Sequence, residues 1–79
     1  MTVEAGITQR VDARGLSCPL PIVRTAIAIK GVASGELVEV LATDPGSTKD
    51  FVAWTRTTGN ELVESSVDEG VYRFLLRRK

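Results

Sequence analysis

Residues 14–21, RGLSCPLP, hold the side chain of this chain that is best suited to do chemistry, the thiol of Cys18. It is the only cysteine, and the chain has no histidine. A Cys–His dyad, a CxxC redox couple and a tetrahedral zinc site each lack the residues that they need. The remaining chemistry is one in which another protein supplies the second reactive group, such as attack of a thiolate on a sulfur atom.

Two prolines fix where the Cys18 sulfur points. Pro19 suits the first position of a helix, since its missing N–H has no intrahelical partner there, and Pro21 falls in the same turn. This assignment places Cys18 at the N-cap, after a tight turn that Gly15 permits. Because a helix N-terminus carries partial positive charge, we expect an accessible nucleophile with a lowered pKa.

Cys18 has more than one interpretation at this point. Persulfide transfer fits, with a sulfur atom received as Cys18–S–S⁻ and then handed to an acceptor by attack on sulfur. A lone cysteine is also commonly a small buried apolar residue, or an indifferent residue at a helix end. The position between a strand and a proline-marked helix favours chemistry.

Six short elements position this segment. Alternation over residues 7–11 predicts a strand, and helical periodicity with a stop at Gly31 predicts a helix from residue 20. The remaining predicted elements are a strand at 36–43, a helix from 47 to 58, and strands at 61–67 and 71–78 around a short hairpin loop at 68–70.

The predicted faces define the layers. The apolar arc of the first helix is Ile22, Val23, Ala26, Ile27 and Ile29, with Arg24, Thr25 and Ala28 opposite. In the second strand, Val38, Val40 and Ala42 share one face.

The second helix is predicted to begin at a Ser47 cap, with Asp50 three residues on, and to bury Phe51 and Trp54. Because most strands have one apolar and one mixed face, the helices should cover one side only. We therefore predict an α/β fold, a two-layer βαβαββ sandwich with a mixed four-stranded sheet and both helices on one face.

Length and composition restrict the function further. With 79 residues, 10 Lys and Arg, and 10 Asp and Glu, the chain predicts a single domain over residues 1–79 with no net charge. Direct nucleic-acid binding is not expected, and the basic group Arg77, Arg78 and Lys79 is interpreted as a solvated tail. Without a membrane-length apolar run or a signal segment, we expect a cytoplasmic monomer with no metal and no cofactor.

Residues 12–21, DARGLSCPLP, resemble the signature of the TusA/SirA-like sulfur-carrier family: Asp, then Gly-Leu, then Cys-Pro-x-Pro. The resemblance continues through residues 35–64 and 72–79. It implies the fold of the C-terminal domain of a bacterial translation initiation factor and a persulfide on Cys18. The supporting motif residues that it implies are Asp12, Gly15, Leu16, Pro19 and Pro21.

The resemblance also implies partners. The donor would be a cysteine desulfurase or a rhodanese. The acceptor would be a DsrE/TusD-type protein, which leads either to tRNA thiolation or to sulfur oxidation. The family has also been linked to molybdenum-cofactor biosynthesis. Family members that act in tRNA thiolation often carry an acidic residue at the position of Leu20. The resemblance therefore favours a role in sulfur trafficking or sulfur oxidation for this chain. The alternatives are a tRNA 2-thiouridine relay, a non-catalytic regulatory or interaction module, and an RNA-binding module.

Three charged residues are candidate contacts for a partner or an anion. Arg14 precedes the motif, Asp44 opens the turn before the second helix, and Lys49 opposes the dipole of that helix. Each also has an ordinary interpretation, as a solvated side chain or a turn residue.

Overall fold

The computed structural model describes residues 6–79, and its elements follow the predicted order βαβαββ. The first strand is two residues longer than predicted. Every other helix or strand begins and ends within one residue of its predicted position. The bounds are β1 Ile7–Ala13, α1 Leu20–Ile29, β2 Leu37–Ala42, α2 Ser47–Thr58, β3 Glu61–Asp68 and β4 Val71–Arg77.

The sheet has the strand order β1-β2-β4-β3, with β1 parallel to β2 and the other neighbours antiparallel. A helix follows each of the two parallel strands. The carboxyl ends of β1 and β2 therefore lie at the same edge, as Ala13 pairs with Ala42. The segment between β1 and α1 and the segment between β2 and α2 meet at this edge.

The core lies between the sheet and both helices. Val38, Val40 and Ala42 are completely buried on one face of β2, which confirms the predicted alternation. Phe51 of α2 stacks on Phe74 of β4 with ring centroids 4.5 Å apart. The predicted two-layer sandwich with helices on one face is confirmed.

The buried face of α1 differs from the predicted arc. Pro21, Thr25 and Ile29 are buried, whereas Val23 and Ile27 are exposed. A threonine can face the core because its hydroxyl is satisfied locally: Thr25 Oγ1 donates to the Pro21 carbonyl at 2.8 Å. The prediction that Val23 and Ile27 face inward and Thr25 outward was wrong.

The start of α2 also needs a correction. Gly46 occupies the N-cap and no side chain caps the helix; Ser47 is the first helical residue and is buried. The predicted Ser47 cap was therefore wrong. Phe51 is completely buried as predicted, and Trp54 is half-buried against the core.

The other face of the sheet carries ionic contacts. Glu39 is 7% exposed and accepts from Arg10 at 3.0 Å and from Arg73 at 2.5 Å. Arg73 also contacts Glu64 at 3.0 Å. Neither helix within residues 6–79 is long and apolar enough to cross a bilayer.

Candidate functional site

Cys18 lies in the segment that joins β1 to α1, and its side chain is exposed. Gly15 turns the chain with φ +82°, and its N–H donates to Thr43 Oγ1 at 2.9 Å. Space for a Cβ is open at Gly15, so its positive φ is what requires glycine. Leu16 packs against the core and its N–H donates to the Ala13 carbonyl. The accessible position predicted for Cys18 is confirmed.

The N-cap of α1 lies one residue later than predicted. Pro19 is the N-cap and Pro21 lies in the first turn, so Cys18 precedes the cap instead of occupying it. Neither proline has an N–H, and the Leu20 N–H already donates to the Ser17 carbonyl at 2.9 Å. The first turn therefore offers the sulfur fewer donors than an ordinary helix N-terminus.

The pKa of the Cys18 thiol is raised above its ordinary value. Hydrogen bonding with the Asp50 carboxylate is the largest cause, followed by burial, the Asp50 charge and then the Asp44 charge. A nearby negative charge opposes ionisation of a thiol. The expectation of a lowered pKa was wrong, because hydrogen bonding with Asp50, burial and the charges of Asp50 and Asp44 all oppose ionisation of the thiol.

Asp44 and Asp50, here called the acid pair, converge on the first turn of α2. Asp44 Oδ2 accepts from the Gly46 N–H at 3.2 Å. A Cβ at Gly46 would lie 3.2 Å from that oxygen and 3.9 Å from Asp50 Oδ2. Both carboxylates thus reach one point beside the Gly46 backbone, on the edge where Cys18 lies.

Sequence reasoning considered Asp50 only as a helix-start residue and missed its effect on the pKa of the Cys18 thiol. The signal was present in the topology. In the structure β1 and β2 are parallel neighbours that are each followed by a helix, so the first turns of both helices lie at one edge of the sheet. Asp44 and Asp50 are the acidic residues at the start of α2, and both raise the pKa of Cys18.

The other two charged candidates do not act on the thiol. Arg14 Nε and Nη2 donate to the Asp12 carboxylate at 2.8 and 2.9 Å, and this pair holds the pKa of Asp12 down at about 2. The motif acid therefore pairs with Arg14 in an exposed position. Lys49 is exposed in the first turn of α2 and is absent from the groups that shift the pKa of Cys18.

An apolar stripe runs along α1 away from Cys18. It consists of Leu20, Val23 and Ile27, which are 45%, 45% and 65% exposed. These positions are three and four residues apart, so they lie on one face of the helix. Exposed apolar side chains grouped in this way mark surfaces that contact other proteins.

Within the residues that the structure describes, no group of three cysteine or acidic side chains is arranged to hold a metal ion.

Comparison with known proteins shows the family of the chain. A family model described as sulfurtransferase TusA matches residues 9–78. The chain is 47% identical over 74 residues to the sulfur carrier protein TusA of Allochromatium vinosum, covering 94% of this chain and 97% of that protein. A putative sulfur carrier protein of Halobacterium salinarum is 43% identical over 79 residues, with 99% and 98% covered.

A solved structure supports the same assignment. A SirA-like protein from Desulfitobacterium hafniense matches with a TM-score of 0.77 at 25% identity, covering 89% of this chain and 96% of that chain. The family model, the relatives and the fold lead to the same conclusion: the chain belongs to the TusA family of sulfur carrier proteins.

Proposed function

We propose that Cys18 accepts sulfane sulfur as a persulfide and passes it to an acceptor protein. The observation that carries this proposal is the exposure of the single thiol at the family motif, in a chain with no second cysteine and no histidine. The chain therefore has a place to hold one sulfur atom and no residues to complete a redox or hydrolytic cycle alone. The partner supplies the other reactive sulfur.

The transfer is a displacement at sulfur. Cys18 loses its proton, and its thiolate attacks the outer sulfur of a donor persulfide. A bond forms between the Cys18 sulfur and the sulfane sulfur, the bond from that atom to the donor breaks, and the electron pair leaves with the donor thiolate. No net oxidation takes place. Delivery repeats the step, with an acceptor thiolate as the attacking group and Cys18 as the leaving group.

The donor must approach over α1, because two sulfur atoms have to come into bonding contact at its N-terminus. The apolar stripe starts two residues after Cys18 and is the apolar surface beside it. A cysteine desulfurase or a rhodanese is the donor class that fits, since both carry sulfur on a cysteine. A DsrE/TusD-type protein is the acceptor class.

We assign the relay to sulfur trafficking or sulfur oxidation in preference to tRNA 2-thiouridine synthesis. Leu20 supports this assignment, because it is 45% exposed beside Cys18 and presents an apolar group to a partner. Family members that act in tRNA thiolation often carry an acidic residue at this position. Efficient 2-thiouridine formation by the loaded carrier in a reconstituted tRNA relay would overturn the pathway assignment.

The test of the carrier function is intact-protein mass spectrometry of the wild type and Cys18→Ser. Each is incubated with a cysteine desulfurase and cysteine, or with a rhodanese and thiosulfate. The expected result is a gain of one sulfur atom in the wild type that reductant reverses, with no gain in Cys18→Ser, since oxygen cannot carry sulfane sulfur.

The same measurement decides against the alternative of a non-catalytic interaction module. Such a module would tolerate the change from thiol to hydroxyl in any binding assay and would gain no sulfur. If neither donor loads the wild type while Cys18 still reacts with iodoacetamide, the carrier proposal fails.

A further inference from the structure

β3 is an edge strand of the sheet and pairs on one side only, with β4. A two-residue turn, Glu69-Gly70, joins the two strands, with φ of 50° and 80°. Asp68 and Val71 are paired across this turn. In a hairpin of this length the flanking pair exchanges both backbone hydrogen bonds, and along the ladder such pairs alternate with pairs that exchange none. The register therefore determines which backbone groups of β3 have no strand to bond to.

Ser65 and Val67 are the residues whose backbone points outward. They lie opposite Phe74 and Tyr72, in the pairs that exchange no hydrogen bond with β4. Their N–H and C=O groups are thus directed to the free edge, and both residues are exposed. A bulge distorts the start of β3, but the register is regular over residues 64–68. This part of β3 can therefore accept an additional strand.

The side chains of this segment differ between the two faces of the sheet. Val67 lies on the face that the helices cover, because its partner Tyr72 packs against the core, and it is 59% exposed. Glu64 and Asp68 lie on the opposite face with Ser66 between them, since side chains alternate along a strand. β3 contains no lysine, arginine or proline. It therefore lacks the positive charges and prolines that commonly protect an edge strand from pairing.

The helix-free face of the sheet has a depression beside this edge, with a volume of about 490 Å³. It is lined by Leu41, Ser66, Asp68, Glu69, Val71 and Arg73. Arg73 is already paired with two glutamates. In the described part of the chain, no arginine or lysine forms an ion pair with Asp68 or Glu69. The depression therefore combines the apolar surface of Leu41 and Val71 with two negative charges that are not neutralised.

We propose that the β3 edge is a docking site for an extended segment of a partner protein in which apolar residues alternate with lysine or arginine. The backbone of this segment bonds to Ser65 and Val67 and extends the sheet by one strand. Because side chains alternate between faces, its apolar residues lie beside Val67 and its basic residues beside Asp68. A basic side chain there lays its apolar stem on Leu41 and Val71 and its charge against the acids. The inference goes beyond the proposed sulfur transfer and does not depend on it.

A second copy of the chain fits this edge poorly. β3 carries Glu61, Glu64 and Asp68 and no base. Pairing of two β3 strands would bring these acids together, and like charges on facing strands destabilise a sheet. The other edge strand, β1, carries Arg10 and Asp12 and so has no net charge. The charge of β3 therefore favours a basic partner segment.

A partner at β3 leaves the sulfur site uncovered. α1 packs on β1 and β2, whereas β3 forms the opposite edge of the sheet. One protein can thus hold the carrier at β3 while another approaches Cys18 over α1. The two surfaces are separate, so each can be tested without the other.

The probe for this site is a seven-residue peptide in which valine alternates with lysine, blocked at both ends. It is titrated into the ¹⁵N-labelled wild-type protein under reducing conditions. Amide chemical shifts should change along β3, and the N–H groups of Ser65 and Val67 should exchange more slowly with solvent because they gain acceptors. The control peptide has the same composition with its valines and lysines in separate runs. It should bind more weakly, since it cannot place its valines on one face.

Two variants test the backbone and the charge separately. Ser65→Pro removes an outward N–H and no hydrogen bond to β4, so it should weaken binding of the alternating peptide by about two- to tenfold. Asp68→Asn combined with Glu69→Gln should weaken binding by up to about fivefold for each charge removed. Glu36→Gln is the matched control: Glu36 precedes β2 at the other end of the sheet, and its replacement should leave binding unchanged. Circular dichroism establishes that each variant is folded.

Equal binding of the two peptides would overturn the proposal, as would chemical-shift changes that lie outside β3 and its hairpin. A concentration-dependent dimer whose interface maps to β3 would also overturn it, because a second copy would then occupy the edge. These outcomes leave the persulfide function standing, since sulfur loading is measured separately on Cys18. Conversely, a wild type that gains no sulfur from any donor would leave the measured docking at β3 in place.

Discussion

The charges around Cys18 are divided into those that are already paired and those that act on the sulfur. Arg14 is the residue closest in sequence that could have stabilised a thiolate, but its guanidinium holds Asp12 through two nitrogens. Asp50, which is remote in sequence, instead raises the pKa of the Cys18 thiol. The character of the thiol thus depends on tertiary contacts that the motif itself does not contain.

Arg14→Gln should raise the pKa of Asp12 from about 2 toward its ordinary 3.8. Since the folded-state pKa is depressed, the Asp12–Arg14 pair stabilises the fold above pH 3.8 and that contribution is lost as the pH falls toward 2. A ¹³C titration of the side-chain carboxyl carbons measures the shift, with Asp68 as the internal reference. An Asp12 midpoint that stays near 2 would show that Arg14 is not the cause.

Glu39→Gln should destabilise the protein. It removes the charge that two arginines share at a site only 7% exposed, and such a loss costs about 1–3 kcal/mol. The matched control is Glu61→Gln, whose partner Arg77 and whose own side chain are both exposed, so about 0–1 kcal/mol is expected. Urea unfolding measures both free energies, and equal losses would contradict this ranking.

Among the elements, β2 was predictable and the inner face of α1 was not. Val38 and Val40 alternate with larger or charged residues, and burial of one sheet face produces that pattern directly. In α1 the polarity of Thr25 was misleading, since a helix can satisfy a threonine hydroxyl with its own carbonyl. Helix periodicity alone could not show that Ile27 would be left outside.

The apolar stripe on α1 predicts that binding of the donor protein can be weakened without changing the reactivity of the Cys18 thiol. Ile27→Glu should slow sulfur loading from a donor protein, raising the KM for the donor, because an acid would have to be buried against it. The rate of alkylation by iodoacetamide should stay unchanged, since Ile27 is 65% exposed and distant from the thiol along α1.

The matched control for this stripe is Val67→Glu. Val67 is 59% exposed on β3 and lies apart from α1, so its replacement should change neither the loading rate nor the alkylation rate. If the two variants slow loading equally, the loss reflects general surface charge, and α1 is not the donor surface.

Over the whole molecule, the parallel pairing of β1 and β2 creates the site. It brings two loops to one edge, so that the nucleophile comes from the first loop and the acid pair from the second. The order of elements and the position of Cys18 could be predicted because they depend on local patterns. The effect of Asp50 on the pKa of Cys18 could not be predicted, since it depends on how the two helices are placed relative to each other on the sheet.

The small size of the apolar stripe affects how fast the carrier exchanges its partners. Three exposed side chains on the helix that follows Cys18 form a modest contact, of the kind found in short-lived complexes. Under the proposed function a single thiol transports one sulfur atom per visit, so the flux of sulfur equals the number of copies multiplied by the frequency of partner exchange. A mutation that enlarged the apolar stripe would raise the affinity for the partner and lengthen each complex's lifetime. Once release of the partner became rate-limiting, the rate of sulfur delivery would fall.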